Sequence, residues 1–232
     1  MSAPADAAAE ARRGILAWRR EQRARLVAAR LAMPAAAHRD ACQALGEHLG
    51  TVLQVLRPAV LGAYWPIRRE FNPMPILQRC LAAGTQIALP AIRASGQPLE
   101  FRLWQPGARM QMGVYDIPYP ADGAAAQPDT LIIPMVGFDA AGYRLGYGGG
   151  YYDRTVAASV PRPRLIGIAH ELSRLPTIQP LWHDIRMDCV VTEAAIEVAA
   201  DAAGSIAALA AIGGARRLQA ANVVAPGAPA PT

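Results

Sequence analysis

The distribution of apolar and polar positions predicts two helices at the start of the chain, over residues 11–32 and 35–57. They part at Met33-Pro34, where a proline suits a new helix start. Beyond residue 57 the texture changes to short β-rich runs: AVLGAYW (59–65), TQIALPAI (85–92), LEFRLW (99–104), TLIIPMVGF (130–138), RLIGIAH (164–170) and DCVVTEAAI (188–196). TLIIPMVGF is almost wholly apolar, as in a strand covered on both faces. LEFRLW alternates, which fits a more exposed or antiparallel strand. Helical stretches at 72–84 and 151–160 join the first run to the second and the fourth to the fifth. Connections of that length are strand–helix–strand crossovers. The expectation is a single three-layer α/β domain: a mostly parallel sheet with helices on both faces and an N-terminal helical pair. A last helix is expected near 204–212.

Composition bounds this picture. The 232 residues are 53% hydrophobic, enough for one large domain with a sizeable core. That domain is expected over 11–200, between a disordered lead-in at 1–10 and a C-terminal extension at 201–232 whose end, NVVAPGAPAPT (222–232), buries too little to order itself. No apolar run reaches the roughly 20 residues of a membrane helix. The opening MSAPADAAAE carries Asp6 and no apolar core, so no secretory signal is expected. Cys42, Cys80 and Cys189 are odd in number and scattered, as are His38, His48, His170 and His183. That pattern points to free thiols in a reducing, cytoplasmic setting and argues against a zinc site. A soluble monomer is the default.

Charge sharpens the chemistry. The formal net charge is +5, which favours an anionic partner, and all 23 basic residues are arginine. A chain without lysine has no Schiff base, no Walker lysine and no lysine general base. Any phosphate must be held by arginine or by backbone N–H groups. The first helix carries Arg12, Arg13, Arg19, Arg20, Arg23, Arg25 and Arg30. At about 100° per residue, Arg19, Arg23 and Arg30 share a side with Ile15, Leu16, Leu26 and Val27, the side that should face the protein. One reading is a solvated basic face or a nucleic-acid patch. The other gives inward arginines an anionic partner, a core carboxylate or a bound polyphosphate.

Three further stretches hold candidate chemistry. GYRLGYGGGYYDR (142–154) sets Gly146, Gly148, Gly149 and Gly150 among Tyr147, Tyr151 and Tyr152. It follows a buried strand and enters a helix, at the sheet edge where open α/β folds bind ligands. Backbone N–H groups there can approach an anion, Arg144 and Arg154 can fork onto phosphate, Asp153 can hold Mg²⁺, and the tyrosines can stack on a flat ring. The bland alternative is a turn whose glycines satisfy backbone geometry. AYWPIRREFNPMPI (63–76) leaves a strand with Tyr64, Trp65 and Glu70, which suit a flat heterocycle bearing N–H donors or simply the core and the surface. LPTIQPLWHDIRMDCVVTE (175–193) offers His183 and Asp184, the latter a metal ligand or a cap.

Together these segments resemble the 5-formyltetrahydrofolate cyclo-ligase family. The signature stretch stands here as IPMVGFDAAGYRLGYGGGYYDR, from Ile133 to Arg154, and the likeness extends to GAYWPIRREFN, PLEFRLWQPGARMQMGVYDIPYP and LPTIQPLWHDIRMDCVVTE. It spans about residues 15–195. The resemblance implies an ATP- and Mg²⁺-dependent cyclisation of 5-formyltetrahydrofolate to 5,10-methenyltetrahydrofolate in one-carbon metabolism. In it the formyl oxygen is phosphorylated, N10 attacks the activated carbon, and ADP and phosphate leave. It further implies that Arg19, Arg23 and the run Arg144, Leu145, Gly146, Tyr147, Gly148, Gly149, Gly150, Tyr151 and Tyr152 bind ATP. Trp65, Glu70 and Tyr147 to Tyr151 would line the folate site, Asp153 and Asp184 would bind Mg²⁺, and Arg144 and Tyr151 would act on the reacting groups. Arg19 stands where the family usually has lysine, Gly149 where many members carry lysine, and Tyr119 where an acid is often seen. Two other readings keep the fold but change the substrate, or make the basic helix a nucleic-acid module. For the latter the chain lacks an aromatic RNA-binding motif or a zinc finger, so a small anionic substrate is expected and no nucleic acid.

Overall fold

The computed structural model describes residues 3–202 and 204–219. Two long helices lead, α1 at Ala3–Leu31 and α2 at Ala35–Leu56. Pro34 separates them in an extended conformation (φ −54°, ψ 143°), and its missing N–H and ring end the first helix and open the second. α1 starts at Ala3, ahead of the expected residue 11, because the alanine-rich lead-in has high intrinsic helix propensity. α2 closes on Arg57 in the left-handed region (φ 44°), whose N–H bonds the Leu53 carbonyl.

The sheet elements then follow. β1 (Val60–Gly62), α3 (Met74–Ala82) and β2 (Gln86–Ala91) form the first crossover. β3 (Glu100–Trp104), β4 (Met110–Met112), β5 (Pro118–Pro120) and β6 (Ala125–Ala126) make an antiparallel excursion. β7 (Thr130–Pro134) returns to the sheet, β8 (Gly137–Asp139) and β9 (Arg144–Leu145) form a hairpin, and α4 (Tyr151–Ala158) leads to β10 (Arg164–Ile168). β11 (Arg174–Leu175), β12 (Cys189–Val191), β13 (Ile196–Val198), α5 (Gly204–Ala208) and β14 (Arg216–Arg217) complete the described fold. α5 continues into a 3-10 turn at Leu209–Ala211, matching the helix expected near 204–212. The tail at 222–232 lies outside the described residues.

Nine strands form one sheet in the order β14-β13-β12-β10-β7-β1-β2-β3-β6. Its centre, β12-β10-β7-β1-β2, is parallel throughout, while β3, β6 and β13 add antiparallel edges. Alternate residues of the central strands face opposite layers, as the two-residue period requires. Leu61, Ile87, Ile132, Ile166 and Val191 pack beneath α2, α3 and α5. Leu131, Ile133, Leu165 and Val190 face the other way, into a cluster with Val156 of α4. Helices thus cover both faces, which explains the continuous apolar runs. Among the described residues, no helix is long and apolar enough to cross a membrane.

Two runs divide differently from the sequence reading. TLIIPMVGF is two strands in two sheets: β7 ends at Pro134, and β8 joins the small sheet β11-β8-β9. The glycine loop therefore leaves that small sheet rather than the parallel one. DCVVTEAAI folds back on itself as β12 and β13, through a turn in which Thr192 Oγ1 accepts the N–H groups of Ala194 and Ala195. A threonine hydroxyl that mimics a backbone turn makes such a reversal favourable.

Candidate active site

Counting only the parallel strands in chain order, β1, β2, β7, β10 and β12 are arranged 2-1-3-4-5. The chain departs in opposite directions from β1 and from β7, and the crevice beyond the carboxyl ends of those two strands is where open α/β sheets take ligands. After β1 comes the segment with Trp65 and Glu70. After β7 comes the β8–β9 hairpin and then the glycine loop. α1 lies across both. Leu26, 1% exposed, anchors it on Val136, Leu145, Leu175 and Ile178. A Cβ on Gly137 would lie 2.8 Å from the Leu26 Cδ1, so any side chain there would have to displace the Leu26 methyl.

The inward arginines of α1 bond directly to the crevice. Arg23 Nε donates to the Gly146 carbonyl at 2.7 Å, and among the described residues its two terminal nitrogens have no protein partner. Burial, then the neighbouring Arg19, lower its pKa, as expected of a cation held without a full counter-charge. Arg30, one turn pair further, donates through Nε to the Arg68 carbonyl at 3.0 Å and through a terminal nitrogen to the Tyr147 hydroxyl at 2.7 Å. Leu16, expected on this face, is instead 45% exposed.

Tyr147 passes the link on. Its hydroxyl donates to Glu70 Oε1 at 2.8 Å, while the outer part of its ring is exposed and lies under the Arg68 guanidinium, 5.4 Å from the centroid. Glu70 Oε2 accepts the Ile67 N–H at 2.9 Å, and the Glu70 N–H closes the same turn on the Ile67 carbonyl. Inside that turn Arg68 and Arg69 both adopt positive φ (47° and 57°), a conformation that costs on the order of 1 kcal/mol per non-glycine residue and is held by these bonds. Burial raises the Glu70 pKa, against the hydrogen bonds and Arg30, which lower it. Burial together with Glu70 pushes the Tyr147 hydroxyl up to about 12, so it stays a donor. Trp65 is half-buried and leans on the core beneath α2 and α3, while Tyr64 is buried and donates to the Phe71 carbonyl.

Three of the loop's glycines have a structural reason, while a Cβ at Gly146 would meet nothing within 4 Å. Gly148 (φ 98°) and Gly150 (φ 63°) take conformations that side chains resist, and Gly150 caps α4. At Gly149 the backbone is ordinary, but a Cβ would lie 2.6 Å from the Tyr151 ring. Tyr151 has folded over the space that a side chain at this position would need. Arg154 reinforces the arrangement by bonding the Gly149 carbonyl and lying over the Tyr151 ring, 5.2 Å from the centroid.

A second network carries the expected metal ligands. Arg19, only 4% exposed, pairs with Asp184 and donates to the carbonyls of Ile178 and Gln179. Asp184 also accepts the Leu181 N–H at 2.6 Å. Arg144, 7% exposed, pairs with Asp153 at 2.8 Å and donates to the Ile185 carbonyl, and Asp153 accepts the Ile185 N–H at 3.1 Å. The two aspartates are thus brought together through residues 184–185, each already paired with an arginine. Their hard oxygens are of the type Mg²⁺ prefers. Tyr152, under the Arg144 guanidinium, is pushed up by burial.

The structure therefore gathers Arg23, the loop from Arg144 to Tyr152, and Glu70 around one crevice, and sets Arg19 beside it as an anchor of the 178–184 segment. Sequence reasoning named Arg30 as inward-facing but gave it no role, and it missed Arg68. The helical projection carried a signal for the first. Nothing local signalled the second. Asp139, inside the signature stretch, accepts the N–H groups of Ala141, Tyr143 and Ile178 and so fixes the β8–β9 hairpin and the segment that Arg19 grips. His183 packs edge-on against the exposed Trp182, with ring centroids 5.0 Å apart.

Known proteins resemble the chain in sequence and in fold. A sequence model of the 5-formyltetrahydrofolate cyclo-ligase family matches residues 15–193. The cyclo-ligase of Mycolicibacterium smegmatis is 30% identical over 56% of the chain and 71% of its own length. That of Escherichia coli K12 is 29% identical over 65% and 88%. The 5,10-methenyltetrahydrofolate synthetase structure from Aquifex aeolicus superposes with a TM-score of 0.66 at 25% identity, covering 80% of the chain and 95% of that protein. The one from Mycoplasma pneumoniae superposes at 0.63 and 20% identity, over 75% and 98%, a likeness of fold. With the family's sequence spread over every segment that meets at the crevice, the chain belongs to the 5-formyltetrahydrofolate cyclo-ligase family and is a ligase.

Proposed function

We propose that the protein converts 5-formyltetrahydrofolate to 5,10-methenyltetrahydrofolate, with ATP converted to ADP and phosphate. The observation that carries this reading is the convergence of three distant segments: Arg23 bonded to Gly146, and Arg30 bonded through Tyr147 to Glu70. A polyphosphate site and a site for a ring with N–H donors then adjoin one another, as transfer between two substrates requires.

In this reading the free terminal nitrogens of Arg23 and the N–H groups of residues 146–150 hold the triphosphate, and Arg144 with Tyr151 faces the transferring group. Glu70, fixed by Ile67 and Tyr147, accepts the pterin N–H donors, and Trp65 walls the ring. The formyl oxygen takes the γ-phosphoryl group, ADP leaves, N10 bonds to the formyl carbon, and the C–O bond breaks to release phosphate, with the N10 proton passing to water. The protein supplies positioning and charge neutralisation, with no covalent nucleophile. Asp153 and Asp184 would hold Mg²⁺, which when bound neutralises phosphate charge. The protein acts as a monomer, in a reducing cytoplasm in keeping with its three free cysteines, on a small folate and without nucleic acid.

The test is an absorbance assay for the methenyl product, with 5-formyltetrahydrofolate and Mg²⁺, run with and without ATP. ATP-dependent product supports the reading. Folded protein that binds ATP but makes no product would move the activity to another acceptor.

A further inference from the structure

One cluster borders this machinery, behind Arg69 and Glu70, and is not used by it. His38 and Cys42 stand one turn apart on α2, and His170 follows β10, far away in the sequence. One ligand atom from each lies within 4.8 Å of the other two. His170 is 2% exposed, and neither of its ring nitrogens has a hydrogen-bond partner. A buried imidazole with both nitrogens unsatisfied loses hydration without compensation, so its place in the fold calls for an occupant.

The surroundings have the form of a metal centre. Cys42 Sγ lies 3.7–3.8 Å from the ring nitrogens of His38. Sulfur and nitrogen on one tetrahedral metal stand about 3.5 Å apart, with the sulfur roughly 5 Å from the other ring nitrogen, so the Cys42 thiol, near-equidistant from both nitrogens, turns about its side chain to share an ion with Nδ1. The Arg69 carbonyl accepts from His38 Nε2 at 3.0 Å, which turns the Nδ1 lone pair free in that tautomer. On the other ring, His170 Nδ1 faces Glu193 Oε2 at 3.8 Å and leaves Nε2 for a ligand. Histidine ligands are oriented in this way, by an acceptor on the nitrogen away from the metal. His38 and Cys42 also border an open groove of about 850 Å³ between α2 and α3, so a fourth coordination position can face water.

We propose that His38, Cys42 and His170 bind a borderline-soft divalent cation such as Zn²⁺, with the fourth position open to the groove. Two imidazoles and a thiolate favour this class over the hard Mg²⁺ expected at Asp153 and Asp184. Binding exchanges the Cys42 thiol proton for the metal–sulfur bond and releases one proton to solvent. The ion staples α2 to the carboxyl end of β10. Sequence reasoning discounted such a site because His170 enters it only through the fold.

The probe is Co²⁺ added to the intact, metal-stripped protein. One equivalent should produce a thiolate-to-cobalt charge-transfer band that Zn²⁺ abolishes, and Zn²⁺ should raise the thermal midpoint. Cys42→Ser should lose the band and the thermal shift, Cys80→Ser should keep both, and His170→Gln should weaken binding at least 10-fold. If His170→Gln fails to fold, Cys42→Ser decides, since serine is close in size and the position is only half-buried. No band with folded wild type, or a band that survives Cys42→Ser or disappears with Cys80→Ser, overturns the site.

Discussion

Glu70 is buried where its carboxylate is disfavoured, and the consequence can be read in pH. The folded protein holds the Glu70 proton more tightly than the unfolded chain, whose pKa is near 4.5. Its contribution to stability is therefore complete below that value and is lost as pH rises through the higher folded pKa. Glu70→Gln removes this dependence. Denaturant unfolding between about pH 4 and pH 7 should show the variant gaining on wild type as pH rises. The opposite trend would mean that the bonds from Ile67 and Tyr147 outweigh burial. Activity should fall with the same substitution, because a neutral amide presents both a donor and an acceptor where two N–H donors are expected. At Gly149 the conflict is steric: Gly149→Val must push the Tyr151 ring off the loop. We expect a folded protein, by far-ultraviolet circular dichroism, with kcat/KM for ATP reduced about 10²-fold or more. Wild-type activity in that variant would remove the loop from the site.

Among the elements, α1 carries the most consequence, because Leu26, the apolar residue it buries most deeply, docks it beside Trp18 and Val27, and its arginines then complete the crevice. Leu26→Ala removes the anchor among Val136, Leu145, Leu175 and Ile178. We expect a loss of about 2–4 kcal/mol in denaturant unfolding and a raised KM for ATP. Arg23→Ala should raise the same KM while leaving the thermal midpoint close to wild type, since Arg23 makes one carbonyl bond and is half-buried. A fall in stability like that of Leu26→Ala would make Arg23 a structural residue. This helix was also the most legible part of the site. A projection at 100° per residue placed Arg19, Arg23 and Arg30 inward, as found, and misplaced Leu16, which stays in water at the edge of the stripe. What Arg30 touches was not legible, because Tyr147 and Glu70 reach it only through tertiary folding. The strand readings failed where one residue outweighs a pattern: Pro134 splits an apolar run between two sheets, and the Thr192 hydroxyl reverses another.

At the scale of the molecule, the order of the parallel strands does most of the placing. Two of the four connections in the 2-1-3-4-5 arrangement are crossovers legible as helix-length gaps; they leave β1 and β7 in opposite directions, and the crevice between those strands then brings residues 65–70 to residues 144–152. The same fold brings His170 to His38 and Cys42, a meeting that no spacing in the chain announces. The central claim is that one crevice couples ATP to folate cyclisation. It is tested most directly by following methenyl product and inorganic phosphate together in one reaction with wild-type protein. We expect equal amounts of the two, both absent without 5-formyltetrahydrofolate and both lost in Arg23→Ala at low ATP. Product formed without ATP, or phosphate released at the same rate without the folate, would contradict the account.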